Sequence, residues 1–295
     1  MGYAKVTDKG YLMDKRLCEY LDIFKRHVLT ANMDCELVFD GSKRSGKTTL
    51  AGQCAYYLDP DYCINNVVFS TEQFIEFSQT AKPGSVVHWD ESVLGASGGH
   101  DSITKESRKL RIYLDTIGSK RLIIFYVQPR FRSLRDDIFL NCKALVHSRR
   151  YHDVKKDLMM PGRFSYYKSG SLEYLHYALQ RSKEKPYNYV KPRHIGDFKG
   201  GNQQFTKSGV PYSDLFYTEK EYEEKKQKAL IEFNDKSKSN VLIKVMNQRN
   251  VAIKLLYDNR LLMGEKRSEI ITDFIKKFSV TRRTITSMIK EIRTN

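Results

Sequence analysis

The sequence lacks the features that would place the chain in a membrane or hold it together by disulfides. Its longest run of purely apolar residues is Leu122–Val127, far shorter than the ~20 residues that a membrane-spanning helix needs. The first residues contain no apolar signal core, and Val6 breaks the pattern for myristoylation. The five cysteines include no Cys-x-x-Cys pair, which favours reduced thiols in packing roles. We therefore expect a cytoplasmic protein with no membrane segment, in the host cytoplasm if it is viral.

What the sequence has in excess is positive charge. Its 295 residues include 51 Lys and Arg against 35 Asp and Glu, a formal net charge of +16. Residues 216–295 alone hold 18 basic and 11 acidic residues, a net +7. Such an excess favours a polyanionic partner, most simply nucleic acid. The hydrophobic content of 40% excludes wholesale disorder and is enough for a core.

Strands and helices are predicted to alternate through the first half of the chain. Apolar segments predict strands at residues 36–40, 66–69, 85–89, 121–127 and 143–147. Amphipathic segments predict helices at residues 12–29, 47–57, 71–79 and 105–117. This alternation predicts an α/β fold, a parallel sheet flanked by helices. For residues 151–215 we expect irregular structure or a hairpin, with a strand at 163–168.

A phosphate-binding loop follows the first of these strands. Residues 41–48 match the Walker A pattern in full, between a predicted strand and a predicted helix. Its glycines let the backbone N–H groups converge on a phosphate, and the helix adds the positive end of its dipole. Lys47 is predicted to reach the β- and γ-phosphates, and Thr48 to ligate Mg²⁺. The predicted ATP-binding residues are Gly41, Ser42, Lys43, Arg44, Ser45, Gly46, Lys47, Thr48 and Thr49.

An acidic pair, Asp90-Glu91, directly follows the predicted strand at 85–89 and indicates a Walker B motif. Asp90 is predicted to hold the Mg²⁺ shell, and Glu91 to polarise the attacking water. We predict a packing role for His88. The pair favours the ASCE class of P-loop NTPase, which has an additional strand between Walker A and Walker B; residues 67–69 are predicted to supply it. Gln128, at the tip of the next strand, is predicted to sense the γ-phosphate and orient water.

At these residues the chain resembles the FtsK/HerA superfamily of DNA-pumping ATPases. Relatives of that superfamily include conjugation ATPases, viral genome-packaging ATPases and zonular-occludens-toxin-like proteins. The resemblance covers about residues 37–149, roughly two fifths of the chain. It rests on residues 41–48, Asp90-Glu91, a helix with Arg108 and Arg111, the strand ending in Gln128, the segment Leu134–Ile138 and a final strand.

The resemblance implies a homo-oligomeric ring, usually hexameric, with ATP between subunits and double-stranded DNA in the pore. One subunit would donate an arginine to its neighbour's γ-phosphate, and Arg108 and Arg111 are the candidates. The alternative for each is a solvated or salt-bridged helix arginine. The chain departs from the larger motors because it is short and because Pro129 follows Gln128. A viral capsid protein or a transfer-complex protein would be a further partner.

The C-terminal residues predict a separate helical module. Residues 216–240 are highly charged and predict a solvated helical linker, which leaves an ATPase domain at 1–215. Residues 241–295 predict a helix-turn-helix, with 241–256 as its supporting helix and 268–278 as its first helix. The predicted DNA-binding residues are Arg282, Arg283, Thr286, Ser287 and Lys290. The alternative is a three-helix protein-interaction module with a solvated basic face.

The predicted function is ATP-driven handling of double-stranded DNA, either packaging of a viral genome or transfer of mobile-element DNA. Two alternatives stay open. One is a nucleotide-switched DNA-binding regulator or an AAA+-type replication initiator, which binds DNA rather than pumping it. The other is an assembly or secretion ATPase whose client is a protein.

Overall fold

A computed structural model of the chain describes residues 3–5, 12–90, 105–181, 186–198 and 216–278. It divides the chain into two units, residues 1–226 and 227–295. The strands, all in the first unit, are β1 (Tyr3–Lys5), β2 (Leu12–Asp14), β3 (Cys35–Gly41), β4 (Val67–Val68), β5 (Val86–Asp90), β6 (Ile123–Gln128), β7 (Ala144–Asp153), β8 (Leu158–Lys168) and β9 (His194–Asp197). The helices that lie wholly in it are α1 (Lys15–Thr30), α2 (Lys47–Leu58), α3 (Thr71–Thr80), α4 (Lys105–Ile117), α5 (Asp136–Asn141) and α6 (Ser169–Arg181).

Seven of the strands in the described residues form the central sheet, in the order β4-β5-β6-β3-β7-β8-β9. The five strands from β4 to β7 are parallel, and β8 and β9 are antiparallel to their neighbours. The α/β fold that we predicted, a parallel sheet with flanking helices, is therefore confirmed in outline. The sheet is mostly rather than wholly parallel, because β8 and β9 add two antiparallel strands.

The strand between β3 and β5 is β6, so the prediction that residues 67–69 supply it was wrong. β4 lies at the edge of the sheet and pairs only through Val67 and Val68. All six residues of β6 are buried, as a strand with neighbours on both sides and helices on both faces requires. Sequence order alone does not give this arrangement, because β6 comes after β5 in the chain.

A long hairpin follows the parallel strands. β7 and β8 pair from Ala144–Lys168 to Asp153–Leu158, with an irregularity between Arg149 and Arg150. The predicted hairpin and the strand at 163–168 are therefore confirmed. The expectation of irregular structure was wrong for α6 and β9. In α6, Leu172 and Leu175 are buried in the main core three residues apart, the helical spacing.

Helix caps and aromatic packing fix the first unit locally. The carboxylate of Asp14 accepts a hydrogen bond from the Leu17 N–H at 2.9 Å and so caps α1. The Ser70 hydroxyl caps α3 in the same way through the Gln73 N–H. In the core, the ring of Trp89 stacks on Phe74 with 4.8 Å between centroids.

A single helix, α7 (Glu219–Leu262), covers both the predicted linker and the predicted supporting helix. It contains no glycine or proline that would end it between these segments. The turn comes at Gly264, whose φ is +85°, and α8 (Arg267–Phe278) follows. In the described part of the second unit, Ile253 and Tyr257 form an apolar cluster with Ile270, Ile271 and Phe274 of α8.

Arg260 links the two sides of this turn. Its guanidinium donates to Glu265 at 2.8 Å and also to Asp273. A helix, α8, is present at the residues predicted for the first helix of the helix-turn-helix. The residues predicted for the second helix lie outside the described part of the chain, so the motif stays a prediction. No helix in the described part of the chain has the length and apolar character that crossing a membrane requires.

Candidate nucleotide-binding site

The Walker A residues form a turn between β3 and α2. β3 ends at Gly41, the Ser45 N–H donates to the Ser42 carbonyl at 3.1 Å, and α2 begins at Lys47. Arg44 and Gly46 both adopt positive φ, at +61° and +83°. The loop therefore curls immediately before a helix N-terminus, the arrangement in which backbone N–H groups bind a phosphate.

Two glycines are required by close packing around this loop. A Cβ atom on Gly41 would lie 2.4 Å from the carbonyl oxygen of Ser148 in β7. A Cβ atom on Gly46 would lie 2.9 Å from the ring of Phe198. The Ser148 hydroxyl also donates to the Ser45 carbonyl at 2.6 Å. The start of the hairpin and the residue after β9 thus pack against the loop, which fixes its position over the sheet.

A hydrogen bond joins the Walker A and Walker B residues. The Thr48 hydroxyl in α2 donates to Oδ2 of Asp90, the last residue of β5, at 3.0 Å. Asp90 is only 1% exposed. A hydroxyl and a carboxylate are hard oxygen ligands of the kind that Mg²⁺ prefers. Among the described residues no group of three or more His, Cys, Asp or Glu could hold a metal. The chemistry of Thr48 and Asp90 fits two positions in the ligand shell of such an ion.

A tyrosine that the sequence analysis did not single out completes this group. Tyr222, in the first turn of α7, donates its hydroxyl to the same Oδ2 of Asp90 at 2.5 Å. Burial and the negative charge of Asp90 raise the pKa of Tyr222 well above its usual value, so it remains a donor. The only signal in the sequence is an aromatic residue within a run of charged ones.

His88 lies two residues before Asp90 and is fully buried. Its Nδ1 is 2.6 Å from the Tyr62 hydroxyl, and the two rings stack. Burial lowers the pKa of His88 to about 4, although the charge of Asp90 acts in the opposite direction. A neutral, buried and stacked imidazole fits the packing role that we predicted.

A second buried carboxylate comes directly before the phosphate loop, at the end of β3. Asp40, the residue before Gly41, is 2% exposed. Its Oδ1 is 2.8 Å from Nδ1 of His147, and its Oδ2 accepts from the Tyr187 hydroxyl and the Phe131 N–H. No sequence motif assigns a role to Asp40, His147 or Tyr187. Asp40 is linked to the other two by contacts that span 107 and 147 positions of the chain.

The remaining predicted residues differ in what the structure shows of them. Gln128 ends β6, is fully buried, and pairs in register with Asp40. Lys47 and Thr49 are half-buried in the first turn of α2, and Ser42, Lys43 and Arg44 are exposed in the loop. Arg108 and Arg111 belong to α4, whose side chains at these positions are not described. Outside the described residues lie Glu91, Arg282, Arg283, Thr286, Ser287 and Lys290.

No family model and no curated protein matches the chain. Among solved structures, it is similar to the N-terminal domain of zonular occludens toxin from Neisseria meningitidis, with a TM-score of 0.36 and 12% identity over 62% of this chain and 99% of that one. It is also similar to the genome-packaging NTPase B204 of Sulfolobus turreted icosahedral virus 2 in complex with ATP-gammaS. That match has a TM-score of 0.33 and 11% identity over 57% of this chain and 98% of that one.

A third structure is B204, the DNA-packaging ATPase of Sulfolobus turreted icosahedral virus, with a TM-score of 0.35 and 12% identity over 58% of this chain and 100% of that one. These proteins are of the kinds that the sequence resemblance names. At such identities and TM-scores they assign no activity to the chain.

Proposed function

We propose that this chain is a magnesium-dependent ATP hydrolase that handles double-stranded DNA. The hydrogen bond from Thr48 to Asp90 is the observation that supports magnesium-dependent ATP hydrolysis. It brings together residues from two motifs that are 42 positions apart, at the carboxyl end of a parallel sheet. Ligands bind at this edge of open α/β sheets.

The geometry supports a division of roles for phosphoryl transfer to water. The backbone of the phosphate loop binds the β-phosphate, and Lys47 adds its positive charge to the β- and γ-phosphates. When bound, Mg²⁺ would neutralise charge that develops on the phosphate oxygens, held by Thr48 and, through its shell, by Asp90. Glu91 would orient and polarise the attacking water, and Gln128, at the end of the neighbouring β6, would sense the γ-phosphate.

Nucleotide binding is tested by Lys47→Ala in the full chain. This change removes a charge-assisted contact to two phosphates, so binding of ATP is expected to be lost. Lys15→Ala, an exposed lysine on α1, is the matched control. Tight binding of ATP by Lys47→Ala would contradict the Walker A assignment.

Hydrolysis is tested by Glu91→Gln, which keeps the shape of the side chain and removes the base. The variant is expected to bind ATP normally and to turn over roughly a hundred- to ten-thousand-fold more slowly. Normal turnover would show that Glu91 is not the residue that polarises the water.

Support for DNA as the partner comes from charge. The net charge of +16 includes +7 in residues 216–295, and a contact to phosphates makes binding depend on salt. The triple variant Arg282→Ala, Arg283→Ala and Lys290→Ala should weaken binding to duplex DNA and reduce the salt slope by up to about 0.9 per lost contact. A triple alanine variant of Lys15, Arg16 and Arg26 on the exposed side of α1 removes as many charges and is the control.

Turnover with and without double-stranded DNA distinguishes a motor from the alternatives. A motor should be stimulated by DNA and assemble into a ring, which native mass measures. A switch or initiator would bind DNA without DNA-stimulated turnover, and an ATPase with a protein client would ignore DNA. Mixing Glu91→Gln with Arg108→Ala or Arg111→Ala subunits should restore turnover if one of these arginines completes a neighbour's site.

A further inference from the structure

We propose that Tyr222 is a positioning residue for the magnesium carboxylate Asp90. This inference rests on the proposed function and adds a residue to its site. Tyr222 and Thr48 donate to the same oxygen, Oδ2 of Asp90, at 2.5 and 3.0 Å. Tyr222 is 8% exposed and Asp90 is 1% exposed, so water does not compete freely for this carboxylate.

The hydroxyl of Tyr222 is held by a well-packed segment. Its ring stacks on Tyr217 at 5.9 Å between centroids and lies 5.7 Å from the ring of Phe69. One turn further along α7, the Lys225 ammonium donates to the Ile64 carbonyl at 2.9 Å. On the other side, the ring of Phe216 lies against Gly52 of α2, where a Cβ atom would approach it to 2.9 Å. The donor therefore reaches Asp90 from a fixed direction.

Two donors on one carboxylate oxygen fix the torsion of the side chain. A carboxylate that binds a metal or its water shell needs such partners, because they hold its oxygens in the orientation that the ion requires. Removing the Tyr222 hydroxyl would leave Thr48 as the remaining donor of this pair and let the carboxylate rotate. The hydroxyl acts on the carboxylate, so its loss should affect the metal-dependent part of nucleotide binding.

The test uses Tyr222→Phe in the full chain, which keeps the ring and its packing. Binding of a fluorescent ATP analogue is measured in EDTA and across a Mg²⁺ titration. The Mg²⁺ concentration for half-saturation is expected to rise about ten- to a hundredfold, the range for lost outer-shell partners, while the affinity in EDTA stays the same. Tyr217→Phe removes a neighbouring buried hydroxyl and should leave both quantities unchanged.

The outcomes separate this inference from the function on which it depends. An unchanged Mg²⁺ titration in Tyr222→Phe overturns it, and so does an equal loss of affinity with and without Mg²⁺, which would indicate a purely structural tyrosine. Failure of the unaltered chain to bind the analogue at all would instead remove the proposed function.

A second measurement needs no variant. Hydrogen exchange of residues 219–226 in the unaltered chain should slow further when Mg²⁺ is added to the ATP-bound protein, because the ion fixes the acceptor of Tyr222. Exchange that does not change on adding Mg²⁺ would also contradict the role.

Discussion

Two buried carboxylates, Asp40 and Asp90, lie at the carboxyl end of the same parallel sheet, one on each side of β6. Each is nearly inaccessible to water, and each accepts a hydrogen bond from a tyrosine more than a hundred residues away. Their other partners differ. Asp90 accepts from Thr48, a hydroxyl with a predicted magnesium role. Asp40 is joined to His147 and the Phe131 N–H.

The difference indicates that burial of an acidic side chain at this edge of the sheet does not by itself identify a metal-binding carboxylate. The contacts of Asp40 come from β7, from the 3₁₀ turn that follows β6, and from Tyr187, which also stacks on His147. These contacts tie the end of β3 to the elements around it. The contacts of Asp90 tie the end of β5 to the phosphate-binding helix. We therefore expect a structural role for Asp40, in contrast to the metal-binding role that we propose for Asp90.

The largest expected effect comes from exchanging each acid for its amide. Asp90→Asn should lower Mg²⁺-dependent turnover by a hundredfold or more. A metal ion stabilises the transition state by several kcal/mol, and each loss of about 1.4 kcal/mol lowers the rate tenfold. Asp40→Asn should instead lower the unfolding temperature, since a buried donor left unsatisfied costs about 1–3 kcal/mol. Turnover and thermal unfolding of both variants measure this. An Asp40→Asn variant that is stable but inactive would contradict the structural role of Asp40.

The phosphate loop, which begins directly after Asp40, gives the next largest effect. Gly41→Ala would place a Cβ atom 2.4 Å from the Ser148 carbonyl oxygen, at a φ of +148°. The strain should cost about 1–3 kcal/mol of unfolding free energy and also weaken nucleotide binding. Chemical denaturation and ATP titration measure the two effects.

Gly170→Ala is the control for this substitution. Its Cβ atom would meet nothing within 4 Å, and the glycine lies in helix α6. If Gly41→Ala were as stable as Gly170→Ala, the packing of the loop against β7 would not be what holds it.

The two tyrosines sharpen the comparison at a smaller scale. Tyr187→Phe removes one donor to the Asp40 carboxylate and should destabilise the fold by about 1 kcal/mol, because the Phe131 N–H and His147 remain as its partners. Its Mg²⁺ requirement should stay normal, in contrast to that of Tyr222→Phe. Thermal unfolding with and without Mg²⁺ and ATP measures both properties. Tyr189→Phe, at an exposed position nearby, should change neither.

The smallest effect is expected at Lys225, which helps to hold the segment of Tyr222. Burial lowers its pKa, so the folded chain loses this proton at a lower pH than the unfolded chain does. The unfolded state then binds more protons between the lowered pKa and the ordinary value of about 10.5, and stability rises with pH in that window.

Lys225→Met removes this pH dependence together with one hydrogen bond to a backbone carbonyl. The net change at neutral pH should be within about 1 kcal/mol, because a typical hydrogen bond contributes that much. Unfolding measured at neutral pH and near pH 10 checks both statements. A large loss at neutral pH would mean that Lys225 is a principal anchor of the segment.

Short-range sequence patterns predicted most of the strands and helices of the first unit. The phosphate loop, the strand ending in Asp90 and the alternating helices follow from short-range spacing and turn residues, so they could be read from neighbouring residues. The order of the strands could not, because the position of β6 depends on which apolar strand is buried on both sides. The long α7 was also missed, since a change in charge pattern suggested a boundary where no glycine or proline ends the helix.

The sequence by itself determined that this chain has a loop with the Walker A pattern, an acidic strand end and a basic excess, because each can be read from short segments or from composition. Only the tertiary structure decided that Thr48 and Tyr222 meet on Asp90, and that His147 and Tyr187 meet on Asp40. The two tyrosine contacts join residues 132 and 147 positions apart. Such pairs depend on how whole strands and helices pack, and no local spacing encodes that packing.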